Sequence, residues 1–108
     1  MIKEIEATEL AQLKETDVNV RVIDVRQPAE LLRGIIPGSE GVPMHTIPLR
    51  MSELSKDVKT VFVCHSGARS AQACMYLMQQ GYENVFNLRG GMMAWHGNGH
   101  EIGLPASA

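Results

Sequence analysis

The residue best placed to do chemistry is Cys64, which comes directly after an apolar, β-branched run and directly before a predicted helix. The residues that follow it include a glycine, a permanent cation and two hydroxyls, in the order His65, Ser66, Gly67, Ala68, Arg69 and Ser70. A helix N-terminus supplies unpaired N–H groups and partial positive charge, and a glycine-containing loop can turn amides toward an anion. Arg69 adds charge and a forked donor for an oxyanion. The sequence therefore predicts that Cys64 is an ionised nucleophile at neutral pH.

Each of the two cysteines could have a purely structural role. Cys64 could simply be a small buried residue that ends a strand, but the glycine, arginine and serine that follow it favour the catalytic interpretation. Cys74 shares the apolar stripe of its predicted helix with Leu77 and is predicted to be inert core. Nothing in the spacing of the two cysteines suggests a zinc site or a disulfide scaffold.

The elements that must position this loop alternate between strand and helix. Strands are predicted at residues 20–25, 60–64 and 84–88, with an edge strand at 2–5. Helices are predicted around Leu10 and Leu13, at 70–80 before Gly81, and for one turn at 92–96. The Gly- and Pro-rich stretch 34–48 is predicted to be a surface loop. This order indicates one α/β domain with a mostly parallel sheet, helices on both faces and a site beyond a strand's C-terminal end.

Composition excludes several function classes. The 108 residues fit one domain, and 10 Lys and Arg against 12 Asp and Glu give a net charge of −2. With no excess of positive charge, the chain is not expected to bind nucleic acid or an anionic membrane. Without an apolar stretch of roughly 20 residues or a signal-peptide pattern, the expected compartment is the cytoplasm. Residues 97–108 are expected to be a loosely held tail.

Four sequence blocks resemble a single-domain rhodanese of the thiosulfate and persulfide sulfurtransferase family. They occur in the family's order and span nearly the whole chain: Val22 to Arg26 followed by Pro28 and Glu30, Gly34 to Ser39, Cys64 to Ser70, and Asn87 to Gly91 ending in Ala94-Trp95. The resemblance implies that Cys64 takes the outer sulfur of a donor as a persulfide and passes it to cyanide or a thiol. The amides of His65 through Ser70 would cradle that sulfur. No metal or organic cofactor is implied.

Three features of the chain bear on substrate within this family. Four residues separate Cys64 from Arg69, whereas cysteine-based phosphatases use a loop one residue longer, which disfavours phosphatase or arsenate reductase activity. His65 stands where many members have arginine, so it binds the donor or offers only its amide. Ile35 stands where the family usually has histidine, which bears on specificity more than on chemistry.

Other charged residues have structural alternatives. Asp24, Arg26 and Glu30 follow a strand end, and we interpret them as a polar brace of that turn, although Asp24 and Arg26 could border the cleft. Arg89 either borders the same cleft or is an exposed charge in a turn. The remaining histidines have no partners at metal-ligand spacing.

Two functions remain open on this evidence. One is a sulfurtransferase that uses a small thiosulfate-like donor. The other is a sulfur-relay module that exchanges persulfide sulfur with protein partners such as a sulfur carrier. A non-catalytic binding domain is disfavoured because Cys64, Gly67, Arg69 and Ser70 are all present.

Overall fold

The computed structural model describes residues 1–17 and 19–105 and contains five parallel strands in one sheet. The strands are β1 (Glu4–Ile5), β2 (Arg21–Asp24), β3 (Glu40–Gly41), β4 (Thr60–Val63) and β5 (Val85–Leu88), and they lie side by side in the order β1-β5-β4-β2-β3. The helices are α1 (Ala7–Thr16), α2 (Pro28–Leu31), α3 (Ala68–Gln79) and α4 (Gly91–Gly97), with 3-10 turns at Met44–Leu49 and Met51–Glu53. None of the helices in the described residues is long and apolar enough to cross a membrane.

The central strands are apolar on both sides because their alternate residues face two different layers. Val61 and Val63 of β4 pack in the cluster that contains the buried residues of α1 and α4, including Trp95. Phe62 packs in the opposite cluster, with the inward side chains of α3. Helices therefore cover both faces of a parallel sheet, which confirms the predicted α/β class.

The stretch 34–48 is not wholly a loop, as the sequence predicted, because it contains β3. This two-residue strand pairs with the end of β2, and the next amide, that of Val42, donates to the carbonyl oxygen of Asp24 at 2.9 Å. Both residues of β3 are exposed, so no apolar pattern marks it. Besides the backbone pairing, the carboxylate of Glu40 accepts two hydrogen bonds from the guanidinium of Arg21 on β2, at 2.8 and 2.9 Å. Helix α3 also begins two residues earlier than predicted, at Ala68.

The expectation of a loosely held tail from residue 97 does not match residues 97–103. The indole Nε1 of Trp95 donates to the carbonyl oxygen of Glu101 at 2.7 Å. Ile35 and Gly103 exchange two backbone hydrogen bonds of 2.8 Å, and Ile102 packs against the α1–α4 layer. This segment is held because it covers Trp95, which is 3% exposed. Residues 106–108 of the predicted tail lie outside the described residues.

Candidate active site

Cys64 is the first residue after β4, and the chain turns around its sulfur into α3. Gly67 has a left-handed φ of +103° and directly precedes the helix, so its N–H reaches back to the Sγ of Cys64 at 3.0 Å. Its position is also crowded, since a Cβ there would lie 3.4 Å from the backbone of Leu88 and Gly90. Ala68, Arg69 and Ser70 form the first turn of α3 rather than part of the loop. The cysteine therefore faces a helix N-terminus, as the sequence predicted.

The environment of Cys64 favours the thiolate. Burial raises the pKa of the Cys64 thiol, but the hydroxyl of Ser70, 3.3 Å from the sulfur, and the amides of Ser70, Gly67 and Ser66 together outweigh it. The net result is a pKa below the ordinary value of a cysteine. No such donor to the Cys74 sulfur occurs among the described residues, and burial raises the pKa of Cys74 to about 12. Cys74 is 0% exposed in the core, which confirms its predicted place in the packing.

Helix α4 holds the loop from the other side. The amide of Met92 donates to the carbonyl oxygen of Cys64 at 2.9 Å, and that of Met93 donates to the carbonyl oxygen of His65 at 3.1 Å. Gly91 allows this approach, because a Cβ there would lie 2.4 Å from the carbonyl oxygen of Cys64. Gly91 thus serves the contact between α4 and the cysteine loop, whereas a Cβ at Gly90 would meet Ala94 of α4 itself.

Arg69 is paired with a carboxylate. Its guanidinium forms two hydrogen bonds to Glu30, of 2.7 and 2.8 Å. This pairing, with the backbone hydrogen bond from Gln27, lowers the pKa of Glu30 to about 2. The hydrogen bond to Glu30 is also the main cause of the raised pKa of Arg69, with a smaller contribution from Cys64. The forked donor predicted for an oxyanion therefore meets Glu30 in this structure, while its charge still acts on Cys64.

Asp24 and Arg26 form a buried ion pair below the site. The Arg26 Nη2 donates to the Oδ2 of Asp24 and to the carbonyl oxygen of Gly34, each at 2.8 Å. Their side chains are 1% and 5% exposed. The pair ties the end of β2 to the turn after α2, which agrees with the brace interpretation. Asp24 is enclosed and does not border the cleft, so that part of the prediction is wrong.

A cleft of about 270 Å³ lies beside the cysteine loop. Its lining combines basic, thioether and aliphatic side chains around one acidic residue: Arg26, Glu30, Arg33, Gly34, His65, Met92, Met93, His96 and Ile102. His65 opens onto this cleft, whereas Cys64 is 1% exposed behind it. Among the described residues, no group of three or more His, Cys, Asp or Glu side chains could hold a metal ion.

The prediction that Arg89 borders this cleft is wrong, and its alternative as an exposed turn residue holds. Arg89 is 61% exposed and pairs with Glu4 at 3.1 Å and Glu6 at 2.9 Å. Both glutamates lie in or directly after β1, which pairs with β5, and Arg89 is not among the residues that line the cleft.

Asn87 is a residue of the site to which sequence reasoning gave no role. It is 2% exposed on β5, and its Oδ1 accepts a hydrogen bond from Ser70 at 2.5 Å. Its Nδ2 donates to the carbonyl oxygen of Gly67 at 3.2 Å and to Glu4 at 3.1 Å. The available signal was a polar residue inside a strand that is otherwise apolar.

Comparison with known proteins places these features in a family. A family model described as the rhodanese-like domain matches residues 6–98. The chain is 50% identical over 105 residues to a protein named sulfurtransferase from Allochromatium vinosum, covering 97% of this chain and 98% of that protein. It is 38% identical over 77 residues to the thiosulfate sulfurtransferase GlpE of Pseudoalteromonas translucida, covering 71% and 73% of the two chains.

Two further comparisons extend this result. A candidate sulfur carrier protein, YrkF of Bacillus subtilis, is 32% identical over 96 residues, which are 89% of this chain and 52% of that protein. The crystal structure of a rhodanese-related protein from Thermoplasma volcanium superimposes with a TM-score of 0.87 at 31% identity. That match covers 95% of this chain and 99% of the other, so the whole sheet and its helices are shared.

Proposed function

Because this chain belongs to the rhodanese-like domain family and is a sulfurtransferase, we propose that it moves a sulfane sulfur through a persulfide on Cys64. The donor in this proposal is thiosulfate or a related small molecule, and the acceptor is cyanide or a thiol. The observation that supports it best is the 3.0 Å contact between the amide of Gly67 and the Sγ of Cys64 at the start of α3. The GlpE relative, named for thiosulfate, supports the choice of donor.

The first half-reaction forms the persulfide. The Cys64 thiolate attacks the outer sulfur of thiosulfate and forms a new S–S bond. The original S–S bond of the donor breaks, and its electron pair leaves with sulfite, so the negative charge moves to the terminal sulfur of the cysteine persulfide. The amides of Ser66, Gly67 and Ser70 stabilise that charge as they do the thiolate.

The second half-reaction returns the free cysteine. Cyanide attacks the terminal sulfur, thiocyanate leaves, and the electron pair of the broken S–S bond remains on Cys64 as the thiolate. A thiol acceptor reacts in the same way after it has lost its proton, and it leaves as a persulfide. Two half-reactions that share one covalent intermediate constitute ping-pong catalysis.

The cleft suits a small anionic donor. Arg33, His65 and His96 line it together with Met92 and Met93, so basic and thioether groups stand beside the cysteine loop. We assign the sulfonate end of the donor to the basic side chains. His65 contributes its side chain to this wall, while its carbonyl oxygen is bound by the amide of Met93.

A sulfur relay between proteins is the second candidate function. The similarity to YrkF supports it, because that protein is described as a candidate sulfur carrier. The side chain of Met93 at the cleft is 59% exposed and offers an apolar contact for a protein partner. In either function Cys64 must begin each turnover as a free thiol and not as a disulfide, so a cytoplasmic location remains our prediction.

Initial rates test the proposal. Thiocyanate formation is measured while thiosulfate and cyanide are varied, in the wild type, in Cys64→Ser and in the matched control Cys74→Ser. We expect parallel double-reciprocal lines, no activity in Cys64→Ser and near-normal activity in Cys74→Ser. Intersecting lines would contradict the covalent intermediate, and full activity in Cys64→Ser would contradict the assigned nucleophile. If thiosulfate gives no turnover while a protein persulfide does, the relay replaces the small-donor function.

A further inference from the structure

The hydroxyl of Ser70 lies between two groups that require the same proton. Its Oγ is 3.3 Å from the Sγ of Cys64 and 2.5 Å from the Oδ1 of Asn87. A serine hydroxyl carries one proton and can donate it to one acceptor at a time. Ser70 is 0% exposed and Asn87 is 2% exposed, so bulk water is not available to supply a replacement donor.

The orientation of the Asn87 amide is fixed by its other contacts. Its Nδ2 faces the carbonyl oxygen of Gly67 and the carboxylate of Glu4, both of which accept hydrogen bonds. The amide oxygen must therefore face Ser70, and because that oxygen is only an acceptor, Ser70 has to be the donor. The Ser70 proton is thus directed to Asn87 in the arrangement that satisfies every member of the cluster.

With its proton directed to Asn87, Ser70 gives Cys64 no hydroxyl donor, so a charged sulfur would keep only the backbone amides that lower its pKa. A thiol can donate its S–H to the Oγ of Ser70, which in turn donates to Asn87, and every group is then satisfied. A thiolate has no proton to give and needs donors, so the Ser70 hydroxyl must turn toward sulfur. The Oδ1 of Asn87 then loses the donor it has in this structure, which costs free energy in a buried site.

We infer that Asn87 is a positioning residue for sulfur transfer, whose amide oxygen competes with the sulfur of Cys64 for the single hydroxyl proton of Ser70. Through this competition Asn87 disfavours the bare thiolate relative to the thiol and to the sulfur-loaded cysteine. In a persulfide the charge sits on the terminal sulfur, so the Sγ needs the hydroxyl less and Ser70 returns to Asn87. The statement about the persulfide rests on the proposed function, whereas the statement about the thiolate does not.

Several charged groups lie around the cluster on neighbouring elements. Glu4 on β1 binds both Asn87 and Arg89, Arg69 on α3 is paired with Glu30 on α2, and Arg26 after β2 is paired with Asp24. His65 is a further titratable group beside the sulfur. The measurements below are therefore repeated in a His65→Gln background, which removes the imidazole.

Titration of Cys64 tests the inference without a sulfur donor. The thiolate fraction is followed by the rate of iodoacetamide alkylation against pH in wild type, Asn87→Leu, Ser70→Ala and the double variant. Leucine matches the shape of asparagine, and the carbonyl oxygen of Gly67 keeps its hydrogen bond from Ala71. Asn84→Leu, which removes a half-buried asparagine directly before β5 whose Nδ2 donates to the carbonyl oxygens of Ser55 and Val58, is the matched control for stability.

The sign of the effect separates competition from mere support of the loop. We expect Asn87→Leu to raise the ratio of thiolate to thiol at fixed pH by roughly three- to tenfold, because Ser70 is freed to donate to sulfur. In the Ser70→Ala background the same substitution should change nothing. A lower ratio of thiolate to thiol in Asn87→Leu would mean that Asn87 only holds the loop. An unchanged ratio would also overturn the inference. So would an effect of Asn87→Leu that is equally large in the Ser70→Ala background.

A second measurement uses the unmodified chain, in case Asn87→Leu does not fold. The side-chain carbonyl ¹³C resonance of Asn87 is followed by NMR over the pH range in which the alkylation rates show that Cys64 ionises. We expect it to shift with ionisation of the thiol, since its hydrogen bond is lost, and to stay constant in Ser70→Ala. A resonance that does not respond in the wild type would contradict the competition. Because neither measurement involves sulfur transfer, failure of the proposed function would leave both results interpretable.

Discussion

Replacement of Gly91 by alanine tests the contact between α4 and the cysteine loop. Gly91 has a φ of +56°, and an added Cβ would lie 2.4 Å from the carbonyl oxygen of Cys64 and 2.7 Å from the backbone of His65. The left-handed conformation alone costs alanine about 1–2 kcal/mol. Displacement of the loop backbone adds about 1–3 kcal/mol, the usual cost of overpacking. The expected loss in free energy of unfolding is therefore about 2–5 kcal/mol.

Gly99→Ala is the matched control for this change. Gly99 also has a left-handed φ, of +76°, but no atom lies within 4 Å of its added Cβ. The control should therefore lose only the conformational part, about 1–2 kcal/mol. Urea unfolding measures both losses.

The same substitution should also affect the thiol. A Cβ at Gly91 pushes the backbone of Cys64 and His65 away from α4, which weakens the 3.0 Å contact from the amide of Gly67 to the sulfur. Alkylation of Cys64 at neutral pH should slow by about three- to tenfold in Gly91→Ala and stay unchanged in Gly99→Ala. Equal stability and equal alkylation rates in the two variants would refute the assigned role of this glycine.

Three further predictions concern the buried ion pair, the pair between Glu30 and Arg69, and the thiol of Cys74. Arg26→Met leaves the carboxylate of Asp24 buried without its counter-charge and should lower the free energy of unfolding by about 3–5 kcal/mol. Arg89→Met removes an exposed pair and should leave the free energy of unfolding nearly unchanged. Urea unfolding of both variants measures the difference, and equal losses would contradict the buried brace. Glu30→Gln removes a partly exposed ion pair worth about 0.5–1 kcal/mol. The pKa of Glu30 in the folded protein is lowered to about 2, so the wild type should be more stable than Glu30→Gln by the whole of this amount above pH 4.5, the ordinary pKa of a glutamate. The difference in free energy of unfolding should disappear as the pH falls toward 2. A difference that persists at the lowest pH would contradict its origin in the ion pair. Cys74, whose pKa burial raises to about 12, should resist alkylation at neutral pH until the protein unfolds, and labelling of native Cys74, read by peptide mass mapping, would contradict its inert role.

The strands and helices that have a characteristic side-chain pattern could be predicted from the sequence. The predicted strands at 20–25, 60–64 and 84–88 each contain a largely buried strand, β2, β4 and β5, and the glycine in the cysteine loop lies directly before a helix N-terminus. The physical reason is local, since periodicity and turn residues act over a few positions. Because the loop leads directly from β4 into α3, the order strand, cysteine, loop and helix was also enough to predict that Cys64 receives its hydrogen bonds from the start of the helix.

Features that depend on distant pairing were not predictable from the sequence. The two-residue strand β3 has no apolar pattern, because backbone pairing with β2 and the ion pair between Arg21 and Glu40 hold it in the sheet, and not the burial of its side chains. The partner of Arg69 is Glu30, 39 positions away, so the sequence showed a free cation where the structure has an ion pair. Arg89 lies away from the cleft because β5 pairs with β1, a choice of neighbour that periodicity does not encode.

The most direct test of the central claim is the intact mass of the reduced protein after incubation with thiosulfate, and again after cyanide. We predict a gain of one sulfur atom that maps to Cys64, is lost on addition of cyanide and is absent from Cys64→Ser. No gain of sulfur, either from thiosulfate or from a protein persulfide, would contradict the account, as would a gain that persists in Cys64→Ser.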